Sequence, residues 1–423
     1  MSVKMKNKLV SGLALTFTLG SFNALATNGY FTHGYGMTHK GMAGAGVALS
    51  EELMSGANNP ASFNVNDTEI SVGLELFSPD RKYTASSVDT FYPNALYLEA
   101  KTQKSDNTLF AIPEFAIGHQ LNDKINIGLL VYGNGGMNTD YSANSELEGT
   151  FYAGTTGVDL KQLFISPTIN YKLNEQTKVG VSPIYVVQQF KATGLGNFAP
   201  FSQSPENLTN NGTDTSTGLG VQVGVTQTVG TSFSWGASYC SSVSMEEFDS
   251  YKGLFAENGG FDLPSSIQIG AAYKLTPTNQ VVFDWQKINY SEVKSIANPM
   301  SNLMSAPLGA SAGAGFGWED MDIYKLGYQW QRTAKQKIRF GVSYTQQPIP
   351  SSEVLFNILA PGVQEWHFTT GFSHEVSEKV QLNAMAFYSP AKKVSGANFL
   401  APNQQLSIEM QQSGVGVSIV WGI

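Results

Sequence analysis

Side chains able to ligate a metal or attack a carbonyl are sparse in this sequence. The five histidines, His33, His39, His119, His367 and His374, show no metal-ligand spacing, and no Gly-x-Ser-x-Gly elbow accompanies them. Cys240 is the only cysteine, so neither an intramolecular disulfide nor a zinc ribbon is possible. It reads as a small apolar side chain in a strand. Gly41-Met-Ala-Gly-Ala-Gly46 is glycine-rich but follows no strand, which argues against a nucleotide loop. No catalytic residue, metal site or cofactor is expected.

The chemistry that remains is binding. Lys325 and Arg339 each stand alone among neutral neighbours in alternating segments. Either could hold a carboxylate by charge-assisted hydrogen bonds. The alternative is internal pairing with Asp284, Glu51 or Glu52, the commoner fate of interior charges. Two segments between strands are unusually apolar: one carries Leu195, Phe198, Pro200 and Phe201, the other Leu254, Phe255 and Phe261. Apolar patches of this kind mark capture sites or pack on one another.

The elements that must position these residues follow from a period of two. In the segment 364–373, Trp366, Phe368, Thr370 and Phe372 fall on one face, and His367, Thr369, Gly371 and Ser373 on the other. Ile338, Phe340, Val342 and Tyr344 oppose Arg339, Gly341 and Ser343 in the same way. Such alternation defines strands with one apolar and one polar face. About fourteen can be counted, near 68–79, 109–121, 125–137, 160–172, 177–191, 218–229, 233–247, 263–274, 279–290, 320–331, 335–346, 364–375, 379–389 and 405–422. Tight turns such as Gly230-Thr231 alternate with long connections such as 193–217, 291–317 and 347–363. Short turns at one end and long loops at the other is the pattern of a transmembrane barrel. The last run places Val415, Val417, Ile419, Trp421 and Ile423 on one face, so the final strand can pair with the first and leave no edge.

Composition agrees. Only 14% of residues are charged, while 12% are aromatic and 43 are glycine. A soluble domain carries roughly 25% charge. The net charge is −8, and removal of Lys4, Lys6 and Lys8 leaves 22 basic against 33 acidic residues. That balance excludes a nucleic-acid partner. Those lysines precede an apolar run, Leu9 to Phe22, and then Ala24-Leu25-Ala26. This is the layout of a cleaved secretory signal, with the mature chain expected to begin near Thr27. The apolar run is shorter than the roughly 20 residues of a spanning helix.

The expected organisation is a signal peptide at 1–26, an amino-terminal segment at 27–66 and a barrel at 67–423. A fourteen-stranded barrel leaves a lumen. The segment 27–66 is glycine-rich rather than charged, and reads as a plug inside it; an exposed arm is the alternative. Gly44 to Met54 reads as a short helix, ending at a turn cluster that contains Asn59-Pro60-Ala61. In the third strand, Gly133, Asn134, Gly135 and Gly136 mark either a bulge that bends the wall or a strand running into a loop.

A plug-like segment ending in Asn59-Pro60-Ala61, a small-residue stretch at Gly41–Gly46, fourteen strands and the glycine-rich third strand, Val131 to Tyr141, together resemble one family. It is the outer-membrane transporters of long-chain fatty acids and other hydrophobic compounds (FadL/TodX type). The resemblance implies an all-β, fourteen-stranded antiparallel transmembrane barrel with an amino-terminal hatch in its lumen. It implies passive transport of fatty acids or similar molecules by a monomer set in outer-membrane lipid and lipopolysaccharide. The two apolar segments fall where that family captures cargo, the Asn-Pro-Ala motif lies in its hatch, and Gly133–Gly136 matches its kinked strand with a lateral exit. A general porin or a surface-adhesion or receptor barrel is the alternative; a porin needs an open, charge-lined lumen and an adhesin long polar loops.

Overall fold

The alternation places the apolar faces outward. In the computed structural model, which describes residues 28–93 and 95–423, Trp366, Phe368 and Phe372 are 42%, 49% and 40% exposed, while His367 and Ser373 are buried. Val72, Leu74 and Leu76 are likewise exposed against buried Ser71 and Glu75. A water-soluble sheet shows the opposite arrangement. Aromatic and branched aliphatic side chains on the outside are stable where the surroundings are hydrocarbon.

The strands run β1 (Thr68–Ala85), β2 (Phe110–Asn122), β3 (Ile125–Tyr141), β4 (Thr156–Lys172) and β5 (Thr177–Thr193). There follow β6 (Asp214–Val229), β7 (Phe233–Cys240), β8 (Ser266–Thr276), β9 (Asn279–Ile288) and β10 (Met321–Thr333). The ring ends with β11 (Gln336–Thr345), β12 (Trp366–Ser377), β13 (Val380–Asn398) and β14 (Ala401–Gly422). Each pairs antiparallel with its neighbours, and β14 pairs with β1 from Glu69↔Gly422 to Ala85↔Leu406, which closes the barrel. Closure satisfies the backbone groups that hydrocarbon could not. No described helix is long and apolar enough to cross a membrane.

Three local expectations are corrected. Strand β7 ends at Cys240 rather than continuing to 247; the chain swings out and only Ser244–Met245 returns to pair with β6. The connection expected at 390–404 is a continuation of the hairpin, since β13 runs to Asn398 and β14 starts at Ala401. Gly44 to Met54 is not helical. The short helices lie on either side, at Met37–Lys40 and Ser55–Asn58. The cause is in the wall: the Asp284 carboxylate of β9 accepts the N–H groups of Gly46 (2.8 Å) and Val47 (2.9 Å), and Gly46 sits at φ +123°, outside any helix. The lysines, apolar run and Ala24-Leu25-Ala26 of the expected signal lie outside the described residues.

Candidate functional site

The amino-terminal residues 28–66 are almost entirely buried, and the polar inner faces of strands around the whole ring bond to them. Lys40 pairs with Glu75 of β1. The Glu114 carboxylate of β2 accepts from Gly36 N at 3.3 Å. Gln268 Nε2 of β8 donates to Gly44 O at 3.3 Å, and Ala43 N donates to Thr369 Oγ1 of β12 at 2.8 Å. Asn383 Nδ2 of β13 donates to Glu52 Oε2 at 3.3 Å.

The two lone cations face this segment. Arg339 is fully buried and donates from Nη2 to Glu51 Oε2 at 2.9 Å, from Nε to Gln329 at 2.6 Å and from Nη1 to Ser373 at 2.6 Å. Lys337 reaches the same Glu51 oxygen at 2.7 Å. Burial pushes the Glu51 carboxyl up, but Lys337, then Arg339, and the hydrogen bonds from Lys337 and Gln329 outweigh it and hold it at about 2. Lys325 donates to His33 O (3.1 Å) and Gly44 O (3.4 Å) beside its register partner Asp284. The histidines are dispersed: His33 stacks on His367 at 5.6 Å, whereas His39 meets Gly46 O at 3.1 Å, and burial lowers its imidazole to about 4. Among the described residues, no group of His, Cys, Asp and Glu could hold a metal ion.

Asn59, Pro60 and Ala61 form a fastening near the short-turn end. Asn59 accepts from Ala61 N at 2.9 Å, capping the single turn Pro60–Ser62, and donates to Val47 O (2.8 Å) and to Val225 O of β6 (3.2 Å). Asn170 of β4 donates to Ala61 O at 2.7 Å.

The glycine cluster of β3 is a true break in the wall. Pairing of β2 with β3 stops at Glu114↔Tyr132, although β2 continues beside β1 to Phe110. On the other side of β3 the register to β4 slips at Asn134, between Gly133 and Gly135. The freed edge is taken by the amino-terminal segment: Thr32 N donates to Asn134 O and Gly136 N to Tyr30 O, both at 2.9 Å, with Phe31 bridging Gly135. Gly135 is required by this approach, since a Cβ there would sit 1.8 Å from Tyr30 O. The window so formed is closed above by a second set of bonds, Asp106 N to Asp140 O at 2.8 Å and Asp140 N to Ser105 Oγ at 3.0 Å.

At the long-loop end the apolar segments collapse around a cavity of about 40 Å³ lined by Leu195, Phe198, Leu254 and Phe255 with Phe151 and Phe190. Its lining is almost wholly apolar, as suits a hydrophobic occupant, and the rings must part to admit one. Phe201 is not among its lining residues and is 36% exposed. Phe261 lies one step deeper, 4.8 Å from Phe255 and 6.1 Å from Tyr30 by ring centroids. Phe316, in the cavity wall, leads to Trp318 at 6.4 Å, which lies 6.0 Å from Tyr30. An aromatic track thus runs from the outer cavity to the residues that close the window. Tyr30, Phe31 and Trp318 carried no local signal in the sequence, because their role depends on partners hundreds of residues away.

A closed barrel with an apolar exterior, a bonded interior and an apolar cavity at its loop end defines an outer-membrane channel protein. More narrowly, the chain belongs to the outer membrane protein transport family (OMPP1/FadL/TodX), whose model matches residues 18–420. No curated protein sequence matches the chain. Among solved structures, the Pseudomonas putida toluene transporter TodX is 16% identical, with 93% of this chain and 99% of that one covered at a TM-score of 0.67. A Pseudomonas aeruginosa FadL homologue is 13% identical over 93% and 99% at a TM-score of 0.70. The Ralstonia pickettii toluene transporter TbuX is 16% identical over 92% and 98%, at 0.64. At these identities the likeness establishes the shared fold. The protein is an outer-membrane transporter of hydrophobic compounds and not an enzyme.

Proposed function

We propose that the protein passively carries long-chain fatty acids or similar hydrophobic molecules, and that residues 27–66 act as a hatch whose rearrangement opens a lateral exit. Export by a signal at 1–26 that is cleaved, and action as a monomer amid lipid and lipopolysaccharide, belong to this reading. The observation that carries it is the window in β3: the wall ladder is broken at Gly133–Gly136 and completed by Tyr30–Thr32. A strand edge held by two hydrogen bonds is released more readily than one held by a full ladder. Cargo enters at Leu195, Phe198, Leu254 and Phe255, with Phe201 at the outer surface, and moves by Phe261 toward Tyr30. Leaving sideways keeps the cargo from water, at about 0.8 kcal/mol for each CH₂ kept covered.

Asn59-Pro60-Ala61 is the fixed end of the hatch in this reading, and Lys325 and Arg339 seat its middle rather than a cargo carboxylate. A porin reading is disfavoured by an interior filled with bonded chain, and an adhesin reading by loops that fold into an apolar core. The test is uptake of labelled palmitate and of toluene by cells lacking or producing the protein. Production is expected to raise uptake of at least one, and Gly135→Leu to abolish the gain. Equal uptake in all strains overturns the reading.

A further inference from the structure

Arg81 is the buried cation that the arrangement above leaves without a use. It lies on β1 with the inward parity of Glu75 and Phe77, and is only 3% exposed. Its guanidinium donates from Nη1 to Asn138 O of β3 and from Nη2 to Asn107 O, in the chain just before β2. Its Cζ stands 5.2 Å from the centroid of the Phe110 ring. It therefore forms the lintel of the window, tying β1 to β3 where β2 does not reach β3.

No ion pair within 4.0 Å joins Arg81 to a carboxylate among the described residues, and its Nε has no hydrogen-bond partner. Asp159, across β3, is engaged by Lys161 at 2.7 Å and by Asn138 Nδ2 at 3.0 Å. Of the other inward cations, Lys40 is matched by Glu75, and Lys337 and Arg339 by Glu51, whereas Lys325 is held by the carbonyls of His33 and Gly44 beside Asp284, and Lys178 of β5 by Asn64 Oδ1. A buried charge without a counter-charge is unfavourable, and two carbonyl oxygens replace only part of its hydration. Arg81 also lines a small void of about 10 Å³ with Phe77, Gly136, Met137, Trp318 and Met410. That void lies between the end of the aromatic track at Trp318 and the window at Gly136.

We propose that Arg81 is a specificity-determining residue that receives the carboxylate of an anionic amphiphile at the window. The inference rests on the lateral-exit reading. The planar guanidinium pairs with a carboxylate through two parallel hydrogen bonds, which are stronger than those to neutral carbonyls. Formation of that pair takes the guanidinium from Asn138 O and unties β3 from β1, so an acidic cargo loosens the frame through which it leaves. A neutral hydrocarbon makes no such exchange and gains nothing from the cation.

The experiment compares Arg81→Gln and Arg81→Lys with wild type in the full-length protein, using palmitate and toluene as separate probes. Folded, membrane-inserted protein is verified by its heat-dependent shift on gels. R81Q is expected to lower the protein-dependent palmitate uptake tenfold or more with toluene uptake within twofold of wild type, and R81K to restore part of the palmitate signal. Parallel loss of both probes makes Arg81 a structural tie only and overturns the proposal; so does palmitate uptake unchanged in R81Q. If R81Q does not reach the membrane, R81K is read alone by the same criterion of selective palmitate loss. Wild-type protein that moves neither probe overturns the transport reading itself, a result distinct from failure at Arg81.

Discussion

Replacement of Glu51 by Gln should loosen the amino-terminal segment without unfolding the barrel. Glu51 neutralises Arg339, which is fully buried, and Lys337, whose side chain is 28% exposed and can turn to water. The loss is therefore that of the Arg339 pair. Breaking a buried pair costs about 3–5 kcal/mol. The amide oxygen of the introduced glutamine still accepts a hydrogen bond from the guanidinium, so the lower end, about 3 kcal/mol, is expected. At about 1.4 kcal/mol per tenfold, local opening becomes roughly 100 times more frequent. Native-state hydrogen exchange reads this directly at the amides of Gly46 and Val47, whose bonds to Asp284 hold the segment to the wall, and at Ser55, which bonds to Glu52 O beside Glu51. The pH dependence has a definite sign. The Glu51 carboxyl is lowered from 4.5 to about 2 in the folded protein, so its stabilisation is complete above 4.5 and is lost as pH falls toward 2. The difference between E51Q and wild type should shrink across that interval. Exchange within threefold of wild type at pH 7 would refute the assignment of Glu51 as the charge that seats the segment.

Asn59→Ala removes a cap and two further hydrogen bonds, and should cost about 1–2 kcal/mol, read as faster exchange at Ala61 and Phe63. Phe255→Ala takes a ring from the outer cavity that lies 4.6 Å from Phe190 and 4.8 Å from Phe261. Binding of a fluorescent fatty-acid probe should weaken about tenfold or more, since a buried Phe is worth about 1.5–3 kcal/mol. Val417, 61% exposed on the outer face of β14, should tolerate Leu but not Arg. Arg near the bilayer midplane costs about 2–4 kcal/mol, measurable by denaturant unfolding in lipid vesicles.

The membrane-facing part of each strand was legible because one face is consistently apolar, as at Trp366–Phe372 and Val415–Ile419. Where β13 and β14 rise past that band, residues such as Lys392, Lys393 and Asn403 make both faces polar and the alternation vanishes, so their hairpin read as a loop. The 44–54 stretch read as helical from its local pattern because its decisive partner, Asp284, lies about 240 residues away. Gly133–Gly136 signalled a break but not what fills it; Tyr30–Thr32 carry no motif. Arg81 had a usable signal, the parity of Glu75 and Phe77 within β1, but parity gives the side and not the missing counter-charge.

The seventeen-pair seam between β14 and β1 has a consequence for biogenesis. It joins the first strand synthesised to the last, and it surrounds chain that precedes both. Charged groups such as Lys40 and Glu51 could not afterwards be threaded through a sealed wall. Once the seam has zipped, the only way in or out for this segment is a mouth of the barrel, and the short-turn mouth is the near one, where Ser50, Glu51 and Asn64 line an opening with Glu375 and Lys379.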